Sequence, residues 1–276
     1  MKNTDLHTHS HYSDGKISPK ELVKQAKQKN IKNLALTDHN SVNGIEEAIQ
    51  EGKKQGINII PGVEIVVNGG EMLGYFIDYK NKELEKALKE SAKIIEDIKV
   101  KPTIKQMKKL GAKISYKDLT KEFPKSKGKC SPTHISMFLI KKGYTEKELS
   151  EFYSKVEIET TRGKKLSALN AIKIIRKAGG VAVLAHPWLN KEEFTENNIK
   201  KYIRAGMKGI EIDNGDKDQW GRDKKIINKI KKFAKKYSLI LTKGSDYHAV
   251  SRHYPLHQLG ETLCDQKIIE ELKSNL

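Results

Sequence analysis

Cysteine is nearly missing from this chain. Cys130 and Cys264 are the only two among 276 residues. They stand far apart and form none of the short Cys pairings of a zinc knuckle or redox motif, so free thiols are expected. Long apolar runs are missing too: 37% of residues are hydrophobic, yet the longest runs, such as Val181 to Ala185, are strand-sized and far below a bilayer-spanning length. No membrane partner is expected. The basic, apolar and small-residue pattern of a secretory signal does not open the chain, and candidate chemistry begins at residue 7, so the expected location is cytoplasmic. Aromatic residues make up 7% of the chain, which argues against an extended nucleic-acid surface. Phe123, Phe138 and Tyr144 read as helix-packing residues rather than a base-stacking platform.

Positive charge is abundant. Lys and Arg number 53 against 35 Asp and Glu, a formal net charge of +18, which raises the local concentration of phosphate-bearing ligands or nucleic acid. Much of the excess is lysine in helical stretches such as Lys224 to Lys236, where a solvated face is the competing reading.

Short β-type runs alternate with amphipathic helical stretches at both ends of the sequence, the pattern of βα units around a parallel sheet or barrel. Strands are expected at Thr4 to His9, Asn33 to Thr37, Asn58 to Val67, Met72 to Ile77, Val181 to Ala185, Gly209 to Asp213 and Leu239 to Thr242. From about Asn81 to Arg162 this rhythm gives way to Lys-rich helical pieces punctuated by Pro102, Gly111, Pro124, Gly128 and Pro132. The expected organisation is a barrel built from residues 1–80 and 163–276, interrupted by a helical cap over 81–162.

Residues at i and i+2 on a strand point to one face, so His7 and His9 can project together and suit one metal ion, with Asp14 in the adjoining turn. Alone, a His-x-His is only moderately specific; a surface or core-satisfied pair competes. The arrangement repeats, however. Asp38 and His39 follow Leu34-Ala35-Leu36, Glu64 follows Ile59-Ile60, His186 closes Val181 to Ala185, and Asp246 with His248 follows Leu239 to Leu241. Of nine histidines, five stand at such strand ends, and His134 in the helical region could lean in as a sixth. In a parallel α/β barrel these ends share one face, where distant residues converge. Asp38 suits orienting a ligand or water, or equally capping its loop.

These residues resemble the polymerase-and-histidinol-phosphatase (PHP) superfamily of metal-dependent phosphoesterases. "DLHTHSHYSDG", "LTDHNSVNG", "PGVEI", "GGVAVLAHP" and "KGSDYH" look like its five motifs in order, from residue 3 to about 250. The resemblance implies an α/β fold, a distorted (β/α)7-type TIM-like barrel with an inserted helical cap. It implies two to three divalent metal ions (manganese, zinc or iron) on His7, His9, Asp14, His39, Glu64, His134, His186, Asp246 and His248. By the same resemblance His7, His9, Glu64 and Asp246 hold one ion, Asp14, His39 and His248 a second, and Glu64, His134 and His186 a third, with Glu64 bridging. The order of motifs is most similar to the subgroup of 3',5'-nucleoside bisphosphate phosphatases and RNA 5'-end exonucleases. The implied reaction is attack of metal-bound hydroxide on the phosphorus of a small phosphorylated substrate, or of short RNA or DNA ends, with Asp38 as the catalytic candidate.

Two positions depart from that subgroup. Glu71 stands where relatives carry a His before the "LGY" strand, and Pro132-Thr133-His134 stands where they carry Arg-Pro-His, which removes the bidentate phosphate clamp of the Arg. Lys129, Arg162 and Arg252 are the candidate substrate-binding replacements. Amidohydrolase-type C–N hydrolysis is the alternative on such a barrel, and non-catalytic nucleic-acid binding a further one. Oligomeric state has no signature in the chain.

Overall fold

The structure, a computed structural model, describes residues 2–126, 129–156, 165–213, 224–249 and 258–276. Among them, eight strands form one sheet: β1 (Lys2–Asp5), β2 (Asn33–Leu36), β3 (Asn58–Val67), β4 (Gly70–Tyr75), β5 (Val181–Leu184), β6 (Gly209–Glu211), β7 (Ile240–Thr242) and β8 (Cys264–Asp265), in the order β7-β6-β5-β4-β3-β2-β1-β8. Neighbours are parallel from β1 to β3 and from β5 to β7. The chain after β7 returns onto the end of β1, with Leu6 N to Lys243 O at 3.3 Å, Asp246 N to His7 O at 2.8 Å and His9 N to Tyr247 O at 2.9 Å. The sheet is thereby nearly closed into a distorted TIM-like barrel.

Strand side chains are buried on both faces, as sheets covered by helices require. Leu34, Leu36, Met72, Ala182 and Leu184 pack outward against the helices. Their neighbours Ala35, Leu73, Val181, Val183 and Ala185 point inward with Leu6, Ile60 and Tyr75. Ile268, Ile269 and Leu272 of a C-terminal helix join this inner cluster. With β8, that helix is an addition the sequence reading did not foresee.

Two βα units precede the hairpin of β3 and β4. Helix α1 (Pro19–Gln28) starts where Ser18 accepts a hydrogen bond from Glu21 N and Pro19 fills the first turn, and it buries Leu22, Val23 and Ala26. Helix α2 (Ile45–Gln55) ends at Gly56, whose φ of 68° is the left-handed cap glycine allows. The β rhythm suggested parallel neighbours, but Asn68 and Gly69 turn β3 directly back into β4, which is antiparallel to both β3 and β5. Because β4 is reversed, its first residues lie at the same end as the last residues of β3: Glu71 pairs with Val66, and Leu73 with Glu64.

After β4 come α3 (Lys82–Ile95), a π-helical turn (Glu96–Val100), α4 (Lys101–Lys109), α5 (Tyr116–Glu122), α6 (Pro132–Lys141), α7 (Glu146–Lys155) and α8 (Ala168–Lys177). Leu84 and Leu88 of α3 and Ile172 and Ile175 of α8 belong to the barrel's outer core. Residues from the π turn to Val156 have their own apolar cluster, including Val100, Met107, Leu119, Ile135 and Leu139. The remaining helices are α9 (Glu196–Ala205), α10 (Lys224–Tyr237) and α11 (Lys267–Lys273). No described helix is long and apolar enough to cross a membrane.

Candidate metal centre

His7, His9 and Asp14 sit on the chain leaving β1, held against two neighbouring loops. Asp38 makes one of these contacts. Its fully buried carboxylate accepts hydrogen bonds from Ser10 N, Ser10 Oγ and Ser13 Oγ, each at 2.7 Å. Burial outweighs these donors and raises its pKa to about 6. Both oxygens of this expected catalytic residue are thus engaged by the loop between His9 and Asp14. Asp5 makes the other contact, receiving His7 N, Ser245 N and Gly260 N at 3.3, 2.8 and 3.0 Å. Gly244 is required here by close approach: a Cβ at that position would lie 2.2 Å from His7 Cβ and 2.4 Å from His7 N. Asp246 is held at a left-handed φ of 52°, a conformation that costs a non-glycine residue about 1–3 kcal/mol and is found where a site demands it.

The first group of donors is His7, His9, Glu64 and Asp246. Glu64 Oε2 lies 3.2 Å from His7 Nε2 and 3.3 Å from His9 Nε2, and Asp246 Oδ1 lies 3.4 and 3.1 Å from the same atoms. A four-coordinate ion with bonds of about 2.0–2.2 Å spaces its ligand atoms about 3.3–3.6 Å apart. The observed spacings match or fall just inside that range. His7 Nε2, both ring nitrogens of His9 and Glu64 Oε2 are buried without a hydrogen-bond partner among the described residues, which buried polar atoms do not normally tolerate. Nitrogen and oxygen donors of this kind fit a divalent ion.

A second group joins His9, Asp14, His39 and His248. Asp14 Oδ1 is 3.3 Å from His248 Nε2 and 3.7 Å from His39 Nε2. A third surrounds Glu64 and Glu71: His39 Nδ1 lies 3.0 Å from Glu64 Oε2, and His186 Nε2 lies 2.8 Å from Glu64 Oε1 and 3.4 Å from Glu71 Oε2. Glu64 therefore touches four imidazoles.

His134 is not brought into the expected group with Glu64 and His186. It occupies the third position of α6 and folds back in a capping box, its Nδ1 accepting Ser131 N at 3.0 Å. Ser131 Oγ in turn donates to Asp14 Oδ2 at 3.0 Å. His134 thus stands on the Asp14 side, and Glu71 takes the place beside His186. Lys129 donates to Ser41 Oγ at 3.1 Å and lines a cavity of about 210 Å³ with Asp14, His39, Glu71, Lys99, Ser131 and Thr133. Arg162 and Arg252 lie outside the described residues.

Electrostatics follow from this crowding. Burial and the neighbouring His248 and His39 push His9 down to about 3. Burial acts the same way on His186 and His248, but Glu64 and Asp14 respectively outweigh it and raise both to about 9. Burial raises the Asp14 carboxyl, yet His39 and His248 hold it well below the usual carboxylate range.

Sequence reasoning missed Glu211. At the end of β6 it accepts from His7 Nδ1 at 2.9 Å and from His186 N at 2.8 Å, and it is buried. A carboxylate on Nδ1 fixes the tautomer that leaves Nε2 free to bind an ion. The legible signal was an acid between Ile210 and Ile212, since a buried charge needs a partner. Glu211→Gln should weaken metal affinity about 10- to 100-fold while the protein stays folded. Competition with a chromophoric chelator measures this, and unchanged affinity would deny Glu211 the positioning role.

Fold and site together define a TIM-like barrel enzyme with a metal-binding face, a metal-dependent phosphoesterase. The family model for the PHP domain matches residues 5–242, and the chain belongs to that family. It is 29% identical over 254 residues to a 5'-3' exoribonuclease of Haemophilus influenzae, covering 90% of each chain. It is 28% identical over 264 residues to a 3',5'-nucleoside bisphosphate phosphatase of Chromobacterium violaceum, covering 90% of this chain and 88% of that one. A solved structure from Bifidobacterium adolescentis, described as a metal-dependent phosphoesterase, superposes with a TM-score of 0.83 over 99% of this chain and 96% of the other at 22% identity, a likeness of fold.

Proposed function

We propose that this phosphoesterase hydrolyses small nucleotide phosphates, such as 3',5'-nucleoside bisphosphates or short 5'-phosphorylated oligonucleotides, in the cavity between its metal-binding face and a helical cap formed by residues 81–162. The supporting observation is that cavity. One wall is Asp14, His39 and Glu71, and the other carries Lys129, Ser131 and Thr133, so donors for cations face donors for phosphate oxygens. The names of the two relatives point to the same substrates.

In this reading His7, His9, Glu64 and Asp246 hold one ion, Asp14, His39 and His248 a second, and Glu64, Glu71 and His186 a third. His134 belongs with the second. Manganese, zinc and iron all suit such nitrogen and oxygen donors. Bound ions would neutralise phosphoryl oxygens and lower the pKa of water. The chain's own residues arrange the rest: Glu211 fixes the His7 ring, Asp38 holds the His9–Asp14 loop closed, and Ser131 ties α6 to Asp14. Lys129 supplies a half-buried positive charge toward the substrate.

The test is hydrolysis by metal-loaded protein of nitrophenyl phosphate, a nucleoside 3',5'-bisphosphate, a cyclic nucleotide, short 5'-phosphorylated RNA and an amide panel. Metal-dependent phosphate release, fastest on the bisphosphate or the RNA end, is expected. Amide cleavage without phosphate release would return the site to the amidohydrolase alternative.

A further inference from the structure

We propose that Ser126, in the short turn between α5 and α6, is a positioning residue that holds Asp14 in place for the second ion. The inference rests on the ion grouping proposed above. It extends that grouping to a side chain whose hydrogen bonds go to the backbone of the ligand-bearing loop.

Asp14 stands on a tight loop. Ser13 N and Gly15 N both donate to Ser10 O at 3.0 Å, His11 N donates to Ile17 O at 2.9 Å, and Lys16 N donates to His248 O at 2.8 Å. A Cβ on Gly15 would lie 2.6 Å from the backbone C and O of His9, so the chain folds closely back on itself here. The barrel grips one side of this loop through Asp38. Ser126 grips the other. Its hydroxyl lies 2.6 Å from Ser13 O and 3.1 Å from His11 O and can donate to either. Ser126 is 1% exposed and Ser13 2%, and a carbonyl buried this deeply needs a donor. Ser126 is itself fixed from the far side: its N donates to Phe123 O at 3.1 Å and its O accepts Lys129 N at 2.8 Å. Cys130 N then donates to buried Glu96 at 2.9 Å. A chain of contacts thus runs from the π turn through Ser126 to the residue preceding Asp14.

The ion sites depend on this contact unequally. His7 and His9 follow β1 directly, with His7 O accepting Asp246 N, His9 N donating to Tyr247 O and His7 N donating to Asp5. None of these contacts involves the turn between α5 and α6. Asp14 differs. Its Oδ2 accepts Ser131 Oγ, while Oδ1 is buried without a hydrogen-bond partner among the described residues, 3.3 Å from His248 Nε2 and 3.7 Å from His39 Nε2. Where Oδ1 stands is set by the loop. Without the Ser126 hydroxyl two buried carbonyls lose a donor, and the loop relieves that cost by moving toward water. The ion must then draw the loop back, so its apparent affinity falls with the fraction of molecules that hold Asp14 in place.

The test titrates zinc into chelator-treated protein in competition with a chromophoric chelator, for wild type, Ser126→Ala, Asp14→Asn, the double variant and Ser115→Ala. Ser115 caps α5, with its hydroxyl accepting Asp118 N at 3.1 Å, and is the control for a contact in the same region that does not reach the loop. Ser126→Ala should weaken one zinc equivalent about 10-fold and leave the others unchanged. Asp14→Asn should weaken that same equivalent, and adding Ser126→Ala to it should change nothing further, because the hydroxyl acts only through Asp14. Ser115→Ala should bind zinc as wild type does. An unchanged profile for Ser126→Ala, equal weakening of every equivalent, or a full effect that persists without the Asp14 carboxylate overturns the proposal. Wild type that binds a single zinc overturns the ion grouping itself, and the role of Ser126 falls with it.

Discussion

Glu64→Gln should reduce phosphate release to background and strip the protein of part of its metal. Glu64 is fully buried on β3, and its two oxygens lie between 2.8 and 3.3 Å from nitrogens of His7, His9, His39 and His186. Burial opposes its ionisation, but His39 and His7 hold its carboxyl well below the usual range. Glutamine keeps the shape and removes the charge, and its amide nitrogen would face imidazole nitrogens meant to bind cations. An ion's stabilisation of the transition state amounts to several kcal/mol, and each 1.36 kcal/mol is tenfold in rate, so a loss of about 10³-fold or more is expected. Metal analysis of the same sample gives the second readout. Full stoichiometry with full activity would remove Glu64 from the centre of the site, whereas the conserved shape of glutamine makes misfolding a poor explanation of a loss.

Stripping the metal should abolish activity and reverse the pH dependence of stability. Without ions, His186 and His248 have pKa values raised from the ordinary 6.5 to about 9 by Glu64 and Asp14, against the opposing effect of burial. A raised histidine pKa contributes stability that is fully present below about 6.5 and is lost as pH rises through about 9. Chelator-treated protein should therefore melt at progressively lower temperature across that window, on the order of 5 °C or more in total. Ions bind the neutral rings, so the metal-loaded protein moves the other way as protons cease to compete. The gap in Tm between the two forms should widen from pH 6.5 to 9, and melting curves across that range measure it. A constant gap would show that these histidines do not exchange protons for metal.

Much of the site could be read before the fold was seen, because strand-end positions are a simple geometric code. His7 and His9 at i and i+2, Glu64 within β3, and ligand-type residues after β2, β5 and β7 converge on one face of the barrel in the structure. What escaped the sequence depended on residues that act through others. Glu211 lies in no motif, and Asp5 opens the first one without the spacing of a ligand; each matters because folding buries it beside His7. Asp38 could be read as orienting a ligand or as capping a loop, and only the positions of Ser10 and Ser13 favour the second. His134 is drawn toward Ser131 by the start of α6, a local preference that spacing along the chain does not report. Glu71 was visible as a departure, but its place beside His186 depends on the reversal of β4 by the turn at Asn68 and Gly69. Lys99 was one of 53 basic residues, with nothing to distinguish it until the π turn aimed it into the cavity.

The central claim is that several ions on this barrel face hydrolyse phosphate esters. Returning manganese, zinc or iron in measured equivalents to chelator-treated protein, while following phosphate release from a nucleoside 3',5'-bisphosphate, tests it most directly. The account predicts no release without metal and full activity only beyond one equivalent per chain; release that ignores added metal, or that is complete at a single equivalent, would contradict it.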